Sequence, residues 1–264
     1  MDLADDDELM ALMTAANIAA VFVDVESPNE EALRETKKFQ NLRRGGSMVE
    51  KVRRIQDPGL EVWGSMILGF DSDDEQIFAA QHRFLTEARI STAMVGMLAA
   101  IPKTPLHAHL AAAGRLDLDD DPPRRHQCGA LQMTREALSE GYVRLLAEFY
   151  EPAAYFDRLD DLYIAGAIET ERGWRRYAQR HPWRRRARQA RQLLEAAGLA
   201  LRVLSQVREK QLRRIYRQRL AQLLRRRPDP AVWRVCAIKC AMHYHTHRLV
   251  DALQRRSLNV LNTF

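Results

Sequence analysis

Three short apolar segments, all within the first hundred residues, set the limits on what this chain can fold into. Val21-Phe-Val-Asp-Val25 is β-branched and aromatic, Val62–Phe70 is apolar through most of its length, and Ala93-Met-Val-Gly-Met-Leu98 repeats the pattern. Segments of this length and composition read as buried strands. Helical stretches separate them. Asp5–Ala15 carries Leu9, Leu12 and Met13 on one side. Pro28 and Asn29 open a helix whose first turn holds Glu30 and Glu31, which suits the helix dipole. Ser47 is placed to cap a helix running to about Gln56, before a turn at Pro58-Gly59. Asp73–Ala88 puts Ile77, Phe78, Phe84 and Leu85 on an apolar side, and Thr104–Ala113 is a further short helix. Strands and helices alternating at this spacing build βαβ units with parallel strands. Three parallel strands are few, and both edges of such a sheet carry unpaired backbone groups unless something covers them. The sequence therefore predicts an incomplete sheet, with aggregation or obligate pairing as the consequence of an open edge.

No strand signal follows residue 100. A loop over 114–131 contains Gly114 and Asp119-Asp-Asp-Pro-Pro123, and helices are expected at 134–149, 152–168, 169–180, 183–198, 200–225 and 229–256. Pro152, Pro182, Pro228 and Pro230 stand near helix starts, where the missing N–H costs nothing. The fold class read from this pattern is α/β followed by all-α. It divides into a strand-containing region over 1–113, a linker over 114–133 and a basic helical region over 134–264.

Charge follows the same division. The net charge of +6 combines −9 over residues 1–150 with +15 over 151–264, which suggests regions with different partners or faces. The arginine runs Arg175–Arg176, Arg184–Arg186, Arg213–Arg214 and Arg225–Arg227 sit on stretches rich in Leu and Ala. They read first as a solvated face partly paired with the acidic half, and second as a surface for anionic membrane. Nucleic acid is not an expected partner, since no recognised reading motif is present. No apolar run approaches the ~20 residues of a membrane span. The acidic start, Met1-Asp-Leu-Ala-Asp-Asp-Asp-Glu8, is unlike a secretory signal. A cytoplasmic location follows as the expectation, with peripheral attachment to the inner face of a membrane as its variant. The three cysteines, Cys128, Cys236 and Cys240, form no disulfide framework.

Three segments carry a family resemblance. They are Val25-Glu-Ser-Pro-Asn-Glu-Glu-Ala-Leu33 with Lys37-Lys-Phe-Gln-Asn41, then Gly64-Ser-Met-Ile-Leu-Gly-Phe-Asp-Ser-Asp73, then Ala93–Leu98 followed by Pro102-Lys-Thr-Pro-Leu106. In order and spacing they resemble the last three strands of the partial barrel of radical S-adenosylmethionine (SAM) enzymes, in the cobalamin-binding branch that carries a helical C-terminal extension. The resemblance implies the C-terminal half of a TIM-like barrel followed by a helical domain. It implies SAM, a [4Fe–4S] cluster and cobalamin as cofactors of the full-length family. It also implies reductive cleavage of SAM to a 5′-deoxyadenosyl radical, with methyl transfer to an unactivated carbon.

Carried over residue by residue, the resemblance assigns cofactor-binding positions to Glu26, Ser27, Ile67, Gly69 and Val95. Glu26-Ser27 matches the acid–hydroxyl pair near the SAM ribose. A carboxylate and a hydroxyl at the C-terminal mouth of a strand can hydrogen-bond sugar hydroxyls. The alternative is local, with Ser27 capping the next helix and Glu26 pairing with a nearby arginine. Ser65-Met-Ile67-Leu-Gly69 matches a G-x-I-x-G pattern at adenine, with Ser65 replacing the first glycine. Gly69 also fits a plain strand-end turn. Val95 belongs to the strand whose backbone would meet the adenine edge. Two departures stand out: the acid that trails the glycine pattern falls at Ser72, and Asp24 occupies a position where the family commonly has glycine.

The family holds its cluster with three cysteines in C-x3-C-x2-C, because soft sulfur ligands hold iron–sulfur clusters. That motif is absent here. No catalytic residue and no metal ligand is assigned. The expectation is a truncated or split enzyme, inactive alone, with the missing N-terminal half as its partner in trans. Cys236, Cys240, His243 and His247 could form a zinc array by spacing alone, but ligands along one straight helix converge poorly. The preferred reading is buried cysteines and half-exposed histidines in a core helix.

Overall fold

A computed structural model describes residues 2–42, 46–116, 131–165, 168 and 172–255. The molecule is a mixed α/β structure, mostly helical, with a small parallel sheet. A 3-10 turn at Asp2–Asp5 leads into α1 (Asp7–Ala15) and β1 (Ala20–Glu26). Helices α2 (Glu30–Glu35), α3 (Phe39–Leu42) and α4 (Met48–Gln56) precede β2 (Glu61–Leu68). Helix α5 (Gln76–Glu87) precedes β3 (Thr92–Met97), and α6 (Pro105–Ala112) follows it. The remaining described residues form α7 (Arg135–Phe149), α8 (Pro152–Tyr163), α9 (Arg172–Arg180), α10 (Pro182–Gln206), α11 (Lys210–Arg226) and α12 (Pro230–Gln254).

The sheet order is β1-β2-β3, parallel throughout, so both crossovers run the same way and lay their helices against one face. On that face Val62, Met66, Leu68, Ala93, Val95 and Met97 are buried against Val52 and Ile55 of α4 and Phe84 and Leu85 of α5. The opposite face is open. Phe22 is 53% exposed there, and Ser65, Ile67 and Met94 are only half-buried. Local caps match the sequence: Ser47 and Glu50 form a reciprocal capping box at α4, and Thr104, Thr134 and Asp229 cap α6, α7 and α12 through their side chains.

The core does not stop at the end of the α/β region. One hydrophobic cluster runs from Val25 and Leu60 through Tyr142, Phe149 and Tyr155 to Tyr216, Cys240 and Leu253. Helix α7 comes close to α5 because Gly141 lacks a side chain: a Cβ there would lie 2.1 Å from the Phe78 ring. At the outer edge of β3 one hydroxyl serves both polar groups of Ala93. Tyr150 Oη accepts from Ala93 N–H at 3.1 Å and donates to Ala93 C=O at 2.9 Å. At the β1 side, Asn41 Nδ2 donates to the carbonyls of Asp24 (3.2 Å) and Val25 (3.1 Å).

Several helix boundaries differ from expectation, among them the end of α8, at Tyr163 rather than residue 168. Residues 183–225 do not break near Gly198; α10 runs through to Gln206, and the break falls at Val207–Glu209. Gly198 faces open space, so its backbone freedom is unused and costs the helix only about 1 kcal/mol. Val207 terminates the helix instead because it is fully buried in extended conformation. Similarly, α5 begins at Gln76 rather than Asp73, since the Asp73 side chain is turned back toward β2.

Candidate functional site

The C-terminal ends of the three strands bring most of the predicted positions together. A bulge interrupts the β1–β2 ladder between Asp24 and Glu26, and Glu26 itself has φ of +70°. Positive φ on a glutamate is uncommon and costs energy, so the surrounding structure must impose it. The register then sets Glu26 opposite Met66, and Met66 opposite Val95. Ile67 lies opposite Gly96 on the open face. The Val95 side chain points into the helix-packed core, which leaves only its backbone for any contact at this mouth.

Glu26 is 7% exposed. Lys38 Nζ reaches its Oε1 at 2.8 Å and Asp24 Oδ2 at 2.7 Å, so one ammonium bridges two carboxylates. Glu26 Oε2 is buried without a hydrogen-bond partner among the described residues. Burial raises the Glu26 pKa, opposed by Lys38 and reinforced by the Asp24 charge. Asp24 is also desolvated, but its bonds to Lys38, to the Glu26 carboxyl and to Ser65 bring its pKa below the usual value. Ser65 Oγ donates to Asp24 Oδ1 at 3.0 Å. Two of the three departures from the family pattern, Asp24 and Ser65, thus meet each other. The arginine partner weighed for Glu26 is a lysine.

Ser27 is fully buried, and its Oγ accepts from the N–H of Asn29 at 3.1 Å. The cap of α2 is Asn29, whose Oδ1 accepts from Glu31 N–H at 3.0 Å. Asn29 Nδ2 also donates to the Ser72 carbonyl, which links the β1 mouth to the loop after β2. Gly69 has φ of +95°, and a Cβ there would lie 3.0 Å from Leu138. Turn geometry and packing therefore require this glycine whether or not a ligand approaches.

The sequence reading missed Asp73. It sits one residue past the site of the expected trailing acid, is fully buried, and its Oδ2 accepts from Gly69 N–H (2.9 Å) and Phe70 N–H (3.1 Å). Burial pushes its pKa up to about 6 against those two N–H bonds. The only signal available was an acid close after a strand-end glycine.

At the opposite end of the sheet lies a second carboxylate–lysine pair. Glu61 and Lys239 are both buried and joined by a hydrogen-bonded ion pair. Ser91 Oγ also bonds Glu61 Oε1, and Tyr163 Oη donates to Glu61 Oε2 at 2.7 Å. Every oxygen of this carboxylate is engaged. Nearby in α12, His243 is fully buried, which corrects the expectation of a half-exposed histidine. Its Nε2 bonds the Tyr150 carbonyl at 3.0 Å, which fixes that nitrogen as the donor. Its Nδ1 then accepts from Tyr216 Oη at 2.5 Å. Burial pushes the pKa of His243 down to about 4, so the ring is neutral. Cys240 is buried and Cys236 half-buried; desolvation raises both thiols, Cys236 to about 12. Among the described residues no three His, Cys, Asp or Glu side chains are grouped to hold a metal ion, and Cys128 lies outside those residues. No helix among them is long and apolar enough to cross a membrane.

A small parallel three-stranded sheet joined to a helical half places the molecule in the class of mixed α/β proteins. Within that class, residues 104–258 match a family described as a domain of unknown function, DUF4070, and the chain belongs to it. It is 38% identical over 162 residues to an uncharacterized methyltransferase of Synechocystis sp., covering 60% of this chain and 30% of that protein. It is 30% identical over 170 residues to a hopanoid C-2 methylase of Rhodopseudomonas palustris, covering 64% of this chain and 31% of the methylase. The chain thus matches about a third of the length of these curated relatives. These matches bear out the resemblance to the C-terminal part of a cobalamin-binding radical SAM methylase.

Proposed function

We propose that this chain forms the SAM-facing C-terminal portion of a radical SAM methylase, with its three strands as the last three of a TIM-like partial barrel. The observation that carries the reading is the Glu26 carboxylate. It is held in strained backbone at a strand mouth, buried, with one oxygen bonded to Lys38 and the other without a partner among the described residues. An unsatisfied buried oxygen costs about 1–3 kcal/mol or more, and a sugar hydroxyl donating to it would remove that cost. SAM, when bound, supplies the transferable one-carbon and radical chemistry of such enzymes. In this scheme Glu26 accepts a ribose hydroxyl, Lys38 opposes the rise that burial imposes on the Glu26 pKa, and Asp24, itself held by Ser65, keeps Lys38 in place. Ser27 and Asn29 fix the chain direction at the mouth, while Ile67 and the backbone around Val95 and Gly69 border the adenine. The described residues do not fit a [4Fe–4S] cluster, since Cys236 and Cys240 lie in α12 with thiols held protonated by burial. The cluster, cobalamin and the remaining strands belong in this reading to a separate segment, encoded in line or supplied in trans.

The test is a chimera in which the matching third of the hopanoid C-2 methylase is replaced by this chain. Retained SAM binding by equilibrium dialysis and retained methylation of hopanoid support the reading. Glu26→Gln is expected to weaken SAM binding about tenfold, the worth of one charge-assisted hydrogen bond. A folded chimera that binds SAM equally well with and without the Glu26→Gln substitution overturns the assignment of Glu26. A chimera that binds SAM but methylates no hopanoid overturns the substrate.

A further inference from the structure

Helix α10 has two unlike sides. Gln192, Ala196 and Val203 are buried, and on this side the helix packs along α12. At about 100° per residue, the opposite side carries Trp183, Ala187, Ala190, Leu194, Ala197 and Leu201 in one stripe. All six are exposed, Trp183 at 78%, Leu194 at 74% and Leu201 at 70%. The stripe is about 27 Å long. Large apolar side chains lined up in one stripe, with nothing among the described residues over them, mark an interaction surface rather than chance exposure.

The flanks say what kind. Arg186 lies on one side of the stripe and Arg184, Arg191 and Arg202 on the other, and Glu195 is the one acid in the helix. Glu195 points away from the stripe, where Arg191 (2.7 Å) and Arg234 (3.6 Å) already hold it. The guanidinium of Arg186 lies 5.6 Å from the Trp183 ring centre. A narrow apolar ridge of tryptophan and leucine, with Arg186 on one flank and several arginines on the other, fits the boundary between acyl chains and anionic headgroups. The ridge sinks into the apolar layer while the guanidinia stay at phosphate level.

We propose that the outer face of α10 docks this protein onto an anionic lipid bilayer, lying parallel to the surface with Trp183, Leu194 and Leu201 inserted. The proposal does not depend on the SAM site. Its chemistry is bilayer chemistry: association requires negative headgroups, weakens with salt, and buries Trp183 in an apolar medium.

The experiment is sedimentation of the 264-residue chain with vesicles of phosphatidylcholine alone or mixed with phosphatidylglycerol, at low and high salt. Binding to the mixed vesicles is expected, falling at high salt and on pure phosphatidylcholine. Leu194→Glu with Leu201→Glu, both on exposed positions, is expected to reduce partitioning about tenfold or more while leaving the circular dichroism unchanged. Trp183→Phe is expected to remove the blue shift of tryptophan emission on vesicle binding while sedimentation persists. Absence of binding to mixed vesicles at low salt overturns the proposal, as does binding that survives the double substitution. So does a wild-type chain that is dimeric by light scattering and becomes monomeric in the double variant, because the stripe would then be a contact between copies.

Discussion

Two glutamate–lysine pairs stand at opposite ends of the same small sheet, and their surroundings differ in almost every respect. Below the strands, Glu61 meets Lys239, Ser91 and Tyr163, and both of its oxygens are bonded. At the mouth, Glu26 shares Lys38 with Asp24, keeps one oxygen unbonded among the described residues, and sits in left-handed backbone. The first arrangement has the features of a stabilising clamp between the α/β region and the helices. The second retains strain and an open valence, which structures tolerate where something else is to be met. A buried ion pair alone therefore says little about purpose; the count of satisfied atoms around it says more.

The sharpest way to break this contrast is to remove Lys239. Lys239→Met leaves Glu61 charged and buried, and a loss of about 3–5 kcal/mol is expected in urea unfolding. Glu61→Gln added to Lys239→Met should recover much of it, and a double variant as unstable as the single one would mean the clamp acts through packing. Next in size, Asp73 tests the loop that backs the mouth. Its folded-state pKa is raised from 3.8 to about 6, so its contribution is complete below pH 4 and lost as pH rises through 6. Wild-type stability is expected to fall over that interval by on the order of 2–3 kcal/mol more than that of Asp73→Asn. Parallel pH curves for the two proteins would remove Asp73 as the titrating group. Tyr150→Phe unpairs Ala93 at the β3 edge by deleting the hydroxyl that serves both of its polar groups, at about 1–3 kcal/mol and with increased self-association. The smallest effect belongs to the mouth: Glu26→Gln should change global stability by less than about 1 kcal/mol, since relief of desolvation offsets the lost ion pair. A loss as large as that for Lys239 would erase the contrast between the two ends.

What the sequence revealed followed the range of its signals. The strands were legible because Val, Met and other apolar residues cluster in short runs, and the Ser47 cap and the helix starts at Thr104 and Thr134 because capping is decided within four residues. Gly198 misled, since a glycine in a helix breaks it only where the left-handed geometry is used. Glu26 and Ser27 were reached through a family pattern, while their actual contacts, Lys38 and Asn29, lie close by in sequence and could have been weighed. His243 was out of reach: Tyr216 and the Tyr150 carbonyl come from 27 and 93 residues away. So was the identity of what serves Ala93 at the β3 edge, a tyrosine 57 residues further on.

The separation of Glu61 from Lys239, 178 residues along the chain, also has a meaning in time. At about 5–20 residues per second of synthesis, the carboxylate emerges from the ribosome roughly 10–35 s before the ammonium that will neutralise it. During that interval the base of β2 cannot dry without stranding a charge, so the nascent sheet stays wet and incomplete. A chain cut short anywhere before α12 keeps that charge unmatched.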